Sequence, residues 1–141
     1  MIKKAISILA LLIGFAFAIV VVCGDMETIP IHINIYGEID DYGSKWTVVC
    51  LPVVSTLSYL LMSWFERKPQ LYNLPTSHRK SRAEQEKIAV KLVEWLKVIT
   101  TLMLIAIEVL MIVQADLVLW IAISGIILTG YVCIKYIREM K

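Results

Sequence analysis

AISILALLIGFAFAIVVVC, residues Ala5 to Cys23, runs nineteen residues without a charged side chain. A helix of that length, rising ~1.5 Å per residue, matches a bilayer hydrocarbon core of ~30 Å. Three more apolar segments follow, at Trp46 to Phe65, Val98 to Val113 and Leu117 to Ile137. The pattern predicts an all-α integral membrane protein with four transmembrane helices. Of the 141 residues, 59% are hydrophobic and 18% are charged. A water-soluble chain of this length has too little polar surface to cover four such segments. A single membrane domain over 1–141 is therefore expected, with an ordered external cap at 25–45. The stretch 66–97 is expected to be a cytosolic loop leading into the juxtamembrane start of the third helix.

Charge sets the expected orientation. Lys3 and Lys4 precede the first span. Asp25 to Lys45 carries five carboxylates against one lysine, a formal net of −4. Glu66 to Lys91 carries seven basic residues against three acidic ones, a net of +4. Gln114-Ala115-Asp116 has no basic residue, and the end of the chain holds Lys135, Arg138 and Lys141. The positive-inside rule then places both termini inside, with the acidic loop and the 114–116 turn outside. Lys3, Lys4 and the triplet Ala16-Phe17-Ala18 imitate a signal peptide, but the apolar run continues through Val22 and favours a retained span. The overall charge of +2 gives no indication of nucleic-acid binding. Cys23, Cys50 and Cys133 show no CxxC spacing and read as small hydrophobes, with a Cys23–Cys50 disulfide as the alternative.

Within the spans a few residues break the apolar background. Ala10, Gly14 and Ala18 recur every four positions and give the first helix a face suited to close packing. Ala122, Gly125 and Thr129 lie on nearly the same face of the fourth and permit close approach there too. Pro52, followed by Ser55, Thr56 and Ser58, predicts a bend near Cys50–Val53. Ser81-Arg82-Ala83-Glu84 has capping-box spacing and starts the third helix ahead of the membrane, with Lys91 and Lys97 reaching towards lipid phosphates. Glu108 lies in mid-span, where a charged side chain costs about 2.5–3.5 kcal/mol on insertion scales. It has two readings: an interhelical hydrogen bond, or a site for a proton, ion or ligand. Trp46, Trp64, Trp95, Trp120 and Tyr136 read as interfacial anchors.

The loop IPIHINIYG, Ile29 to Gly37, alternates in character. Ile29, Ile31, Ile33 and Ile35 are expected to point one way, with His32, Asn34 and Tyr36 opposite and Gly37 turning the chain back. His32, Asn34 and Asp40 supply nitrogen and oxygen donors, and a divalent cation is the cofactor reading of this cap. Hydrogen bonds that tie down the loop are the structural reading, with Lys45 paired to Asp40 or Asp41.

Pro30-x-His32-x-Asn34-x-x-Gly37-x-x-Asp40-x-x-x-x-Lys45 resembles the signature of the DUF1648 membrane family, and Pro52 fits it as well. Pro69-x-x-Tyr72-Asn73-x-Pro75 resembles a second motif of that family. The family includes multi-span proteins related to the SdpI-type immunity and signalling proteins. The resemblance implies a bacterial or archaeal cell membrane and marks Pro30, His32, Asn34, Gly37, Asp40, Lys45, Pro52 and Asn73. SdpI-type proteins are longer and have more spans, so their function does not transfer directly.

Two functions are expected. One is a non-enzymatic envelope protein that binds or senses a peptide or protein at its outer face, immunity-like in role. The other is a small oligomeric transporter, channel or ion-regulated protein, with Glu108 and the Pro52 bend beside its path. No Gly-x-Ser-x-Gly, His-Glu-x-x-His or P-loop pattern supports an enzyme. The expected partners are the lipid bilayer, a peptide or protein ligand and a second copy of the chain.

Overall fold

The computed structural model describes residues 1–113 and 115–141. Helix α1 covers Ile2–Cys23. Strands β1, Thr28–Ile33, and β2, Ile39–Ser44, form an antiparallel hairpin. A 3-10 turn at Lys45–Val49 leads into α2, Cys50–Glu66. A short 3-10 turn at Pro69–Leu71 precedes the long α3, Arg82–Val113, and α4 covers Ala115–Met140. Among the described residues, four segments are long and apolar enough to cross a membrane, the make-up of a multi-pass membrane protein. The wholly α expectation needs one correction. The segment between the first two spans is a two-stranded sheet, because its alternating sequence turns back at Gly37 and pairs with Ile39–Ser44. The turn expected at Gln114-Ala115-Asp116 depends on Gln114, which lies outside the described residues.

Helix α3 is the centre of the bundle, and α1, α2 and α4 all pack against it. The face that α1 turns inward is Ser7, Ala10, Gly14, Ala18 and Val21, so the small stripe is indeed its packing face. A Cβ on Gly14 would collide with Ile105, so this closeness depends on the missing side chain. On α4 the half-buried residues include Ala122, Gly125 and Thr129, with Gly125 against Met103 of α3. The large side chains Leu12, Val20, Leu57, Leu60, Ile126 and Ile127 lie on the outside of the bundle. In water such a surface would aggregate; in a bilayer it is solvated.

Pro52 marks the place where a bend near Cys50–Val53 is expected. It sits in the first turn of α2, where the chain passes from 3-10 to α geometry. An amide without a proton is tolerated there because first-turn amides have no intrahelical acceptor. Thr56 Oγ1 donates to the Pro52 carbonyl at 2.8 Å.

The start of α3 follows the capping-box expectation. Ser81 donates its amide and its hydroxyl to Glu84 Oε2, each at 2.8 Å, while the Glu84 amide donates back to Ser81 Oγ at 3.4 Å. The Ser81 backbone and side-chain donors hold the Glu84 carboxyl below the usual carboxylate range. This turn lies ahead of the apolar part of α3.

Candidate functional site: a cleft between the hairpin and Glu108

The hairpin is closed by a three-residue loop. The Gly37 amide donates to the Asn34 carbonyl at 3.0 Å, and the Asn34 amide to the Glu38 carbonyl at 2.9 Å. Gly37 has φ +86°, the left-handed position that closes such a loop. Asn34 Oδ1 accepts from the amides of Tyr36 and Glu38 at 2.9 and 3.0 Å, and Asn34 Nδ2 donates to Glu38. Asn34 is thus the organiser of the turn. His32 Nδ1 lies 2.5 Å from Asp40 Oδ1 across the strands, with both side chains exposed. Of the three donors proposed for a cation, His32 and Asp40 meet, whereas Asn34 spends its oxygen on the backbone. Among the described residues no group of three or more His, Cys, Asp or Glu is placed to hold a metal.

Lys45 fastens the hairpin, but not to Asp40 or Asp41. Its ammonium donates to the Gly24 carbonyl at 2.9 Å, and its amide to Glu27. A cation at the C-terminal end of α1 is favoured by the helix dipole, which explains the choice. Ile29 pins the sheet to the bundle, buried with Ala18, Val21 and Val48. The alternation stops there. Register shifts on either side of His32 break the two-residue period, so Ile31 is partly exposed and Ile35 is 81% exposed beside an 80% exposed Tyr36.

Between the hairpin, the start of α2 and α3 lies a cleft of about 330 Å³. Ile29, Pro30 and Ile31 form its hairpin side, Cys50 and Leu51 its α2 side, and Glu108 with Met111 its α3 side. Pro30 is tolerated in a two-stranded sheet because every strand there is an edge. Glu108 is only 2% exposed, and neither carboxylate oxygen has a hydrogen-bond partner. The interhelical bond expected of Glu108 is therefore not made. Gly14 leaves it room, since a Cβ there would come within 3.1 Å of Oε2.

The opposite end of the bundle holds Lys97, which was expected to reach towards lipid phosphates. Lys97 is 1% exposed and does not reach outward. Its ammonium donates to Glu66 and, at 3.3 Å, to Ser63, and it lies over the Tyr59 ring. Lys3 pairs with Glu94 at 2.9 Å and stands over Trp95. The sequence signal was present: Glu66 ends one span and Lys97 opens the next, so antiparallel packing brings them level. Tyr72 donates to the Phe65 carbonyl at 2.8 Å, and burial first, then the Glu66 charge, pushes its phenol up. Asn73 is exposed, in a cavity of about 610 Å³ beside Pro75 and Met140, and has no part in the cleft. Cys23, Cys50 and Cys133 are free thiols.

No curated protein and no solved structure matches the chain. Residues 6–56 match the family described as a domain of unknown function, DUF1648, a segment that runs from α1 through the hairpin to the first turns of α2 and includes Gly14, Pro30 and Pro52 but not Glu108.

Proposed function

We propose that the protein is a non-enzymatic envelope protein that binds a basic, amphipathic peptide or protein at its hairpin face, with an immunity-like role in a bacterial or archaeal membrane. The observation that carries this reading is the cleft under the hairpin that ends on Glu108, an acid with both oxygens free of partners. A lysine or arginine side chain entering the cleft would pass apolar walls that suit its methylene stem and meet the carboxyl with its charged head. The hairpin supports this with its formal net of −4 over Asp25 to Lys45, which would attract such a ligand. Ile35 and Tyr36 at its tip offer apolar contact.

In this reading the hairpin faces outward and both termini face the cytosol. The net of +4 over Glu66 to Lys91 supports that orientation through the positive-inside rule. The test is binding of a fluorescent amphipathic peptide rich in lysine and leucine to the chain in neutral-lipid nanodiscs. Saturable binding that weakens with Glu108→Gln and with salt is expected. Equal signal from empty nanodiscs would contradict the reading.

A further inference from the structure

The geometry points to a lipid site at the end of the bundle opposite the hairpin. The cavity of about 610 Å³ under the 72–76 loop takes one acyl chain of an anionic phospholipid, and the basic residues at its rim take the phosphate. This site stands apart from the cleft at Glu108 and does not depend on what binds there. Leu74 and Thr76 line it from the loop, Leu92 and Val93 from α3, and Ile137 and Met140 from α4. Its volume falls within the range of small-ligand sites, roughly 300–1,000 Å³. Ile137 ends the apolar run that begins at Leu117, so the cavity lies where hydrocarbon gives way to headgroups.

Hydrogen bonds hold its walls in place. Gln85, 5% exposed, donates from Nε2 to the carbonyls of Pro75 at 2.8 Å and Met140 at 2.9 Å, and so ties both the loop and α4 to α3. Tyr72 is fastened twice. Its hydroxyl donates to the Phe65 carbonyl, and its own carbonyl accepts from Arg82 Nη2 at 2.7 Å. Further along the loop, Ser77 Oγ accepts from the amides of Arg79 and Lys80 at 3.2 and 3.1 Å. A cavity fixed in this way exists before its ligand arrives, which lowers the ordering cost of binding.

The rim carries the charge. Arg82 reaches it at the Tyr72 carbonyl, and the Lys80 ammonium donates to the carbonyl of Glu139, next to Met140. Lys80 thus spends this hydrogen bond on a neutral acceptor and keeps its charge available. Among the described residues the ion pairs are those of Lys3, His32, Arg82 and Lys97, so Arg79, Lys80 and Arg138 pair with no carboxylate. The formal net is +3 over Tyr72 to Lys91 and +2 over Lys135 to Lys141. A phosphate diester presents acceptors alone, matched to ammonium and guanidinium donors. A zwitterionic headgroup would bring an ammonium of its own among these cations, and a soluble phosphate would leave the apolar walls uncovered. Basic pockets between spans suit anionic headgroups for the same reasons. The second acyl chain stays in the bilayer. Seated there, the lipid braces α4, which packs chiefly on α3.

The test is native mass spectrometry of the full chain in a neutral detergent, where no charged bilayer surface gathers lipid around it. Phosphatidylglycerol should add as a single saturable lipid, about tenfold or more tighter than phosphatidylcholine with the same acyl chains. Lys80→Gln should weaken it about fivefold, the effect of one basic residue close to a headgroup. Thr76→Trp, at an exposed position on the cavity wall, should block it by filling the space and leaves the packed core alone. Lys4→Gln, at the start of α1, should leave it unchanged. Equal binding of the two lipids would overturn the proposal. So would inorganic phosphate that binds as tightly as the lipid, equal loss in Lys4→Gln and Lys80→Gln, or binding that survives both Lys80→Gln and Thr76→Trp.

Discussion

Lys97 and Glu108 lie on the same helix and are almost equally buried, yet the fold treats them in opposite ways. Lys97 has Glu66, Ser63 and the Tyr59 ring around it. Glu108 has an apolar cleft, the gap left by Gly14, and no hydrogen-bond partner. A buried charge with a full set of partners is a fastening between helices. A buried acid without partners adds nothing to stability, so its presence is better explained by what it binds.

The sharpest way to break this comparison is to remove one charge at each end. Lys97→Met leaves the partly buried Glu66 without its counter-ion and should cost up to about 3–5 kcal/mol, while Lys97→Met with Glu66→Leu should recover most of that loss. Glu108→Leu should leave stability unchanged or raise it by up to about 1–3 kcal/mol, since it removes an unsatisfied group. Thermal unfolding in detergent reads both. Equal losses at the two positions would erase the distinction.

Gly14→Val should destabilise the α1–α3 contact by about 1–3 kcal/mol, because the new side chain meets Ile105 and closes in on Glu108. The cleft should lose peptide binding as well, which the nanodisc assay reports. Gly37→Val should cost about 1–2 kcal/mol locally through its left-handed backbone. It should raise amide exchange across β1 and β2 while α1 to α4 remain protected. Uniform exchange changes in both regions would mean that the hairpin and bundle are one cooperative unit.

The smallest effect is expected at Ser81→Ala, which loosens the first turn of α3. Glu84 adds a pH dependence with a definite sign. Its folded carboxyl is held below the ordinary range, so its contribution is complete above the unfolded value of about 4.3 and fades as pH falls through the folded one. Protection of the amides at 82–85, taken relative to their intrinsic exchange rates at each pH, should therefore fall in acid in the wild type and respond less to acid in Ser81→Ala.

Much of this architecture was legible in the sequence. Long apolar runs marked the four spans, spacing marked the small face of α1, and the Ser81–Glu84 pair marked the start of α3. Gly37 gave the turn of the hairpin. Other features depend on tertiary geometry that a linear pattern does not carry. The alternating isoleucines fail as a guide beyond Ile29 because irregular register re-aims the side chains around His32. Pro52 marked a bend near Cys50–Val53, but the change from 3-10 to α geometry just before it does not show in the apolar run. Lys97 looked superficial because its pairing with Glu66 emerges only when the end of one span is set beside the start of the next. Glu108 stood out at once, but only packing shows that it faces a cleft without a partner.

Infrared spectroscopy of the chain in lipid, compared with Glu108→Gln, tests this most directly. An unpaired acid in hydrocarbon adopts its neutral form at least cost, so the wild type should show a carboxylic acid C=O band that the variant lacks and that a cationic peptide diminishes. Identical carboxylic acid bands in both proteins would contradict the account.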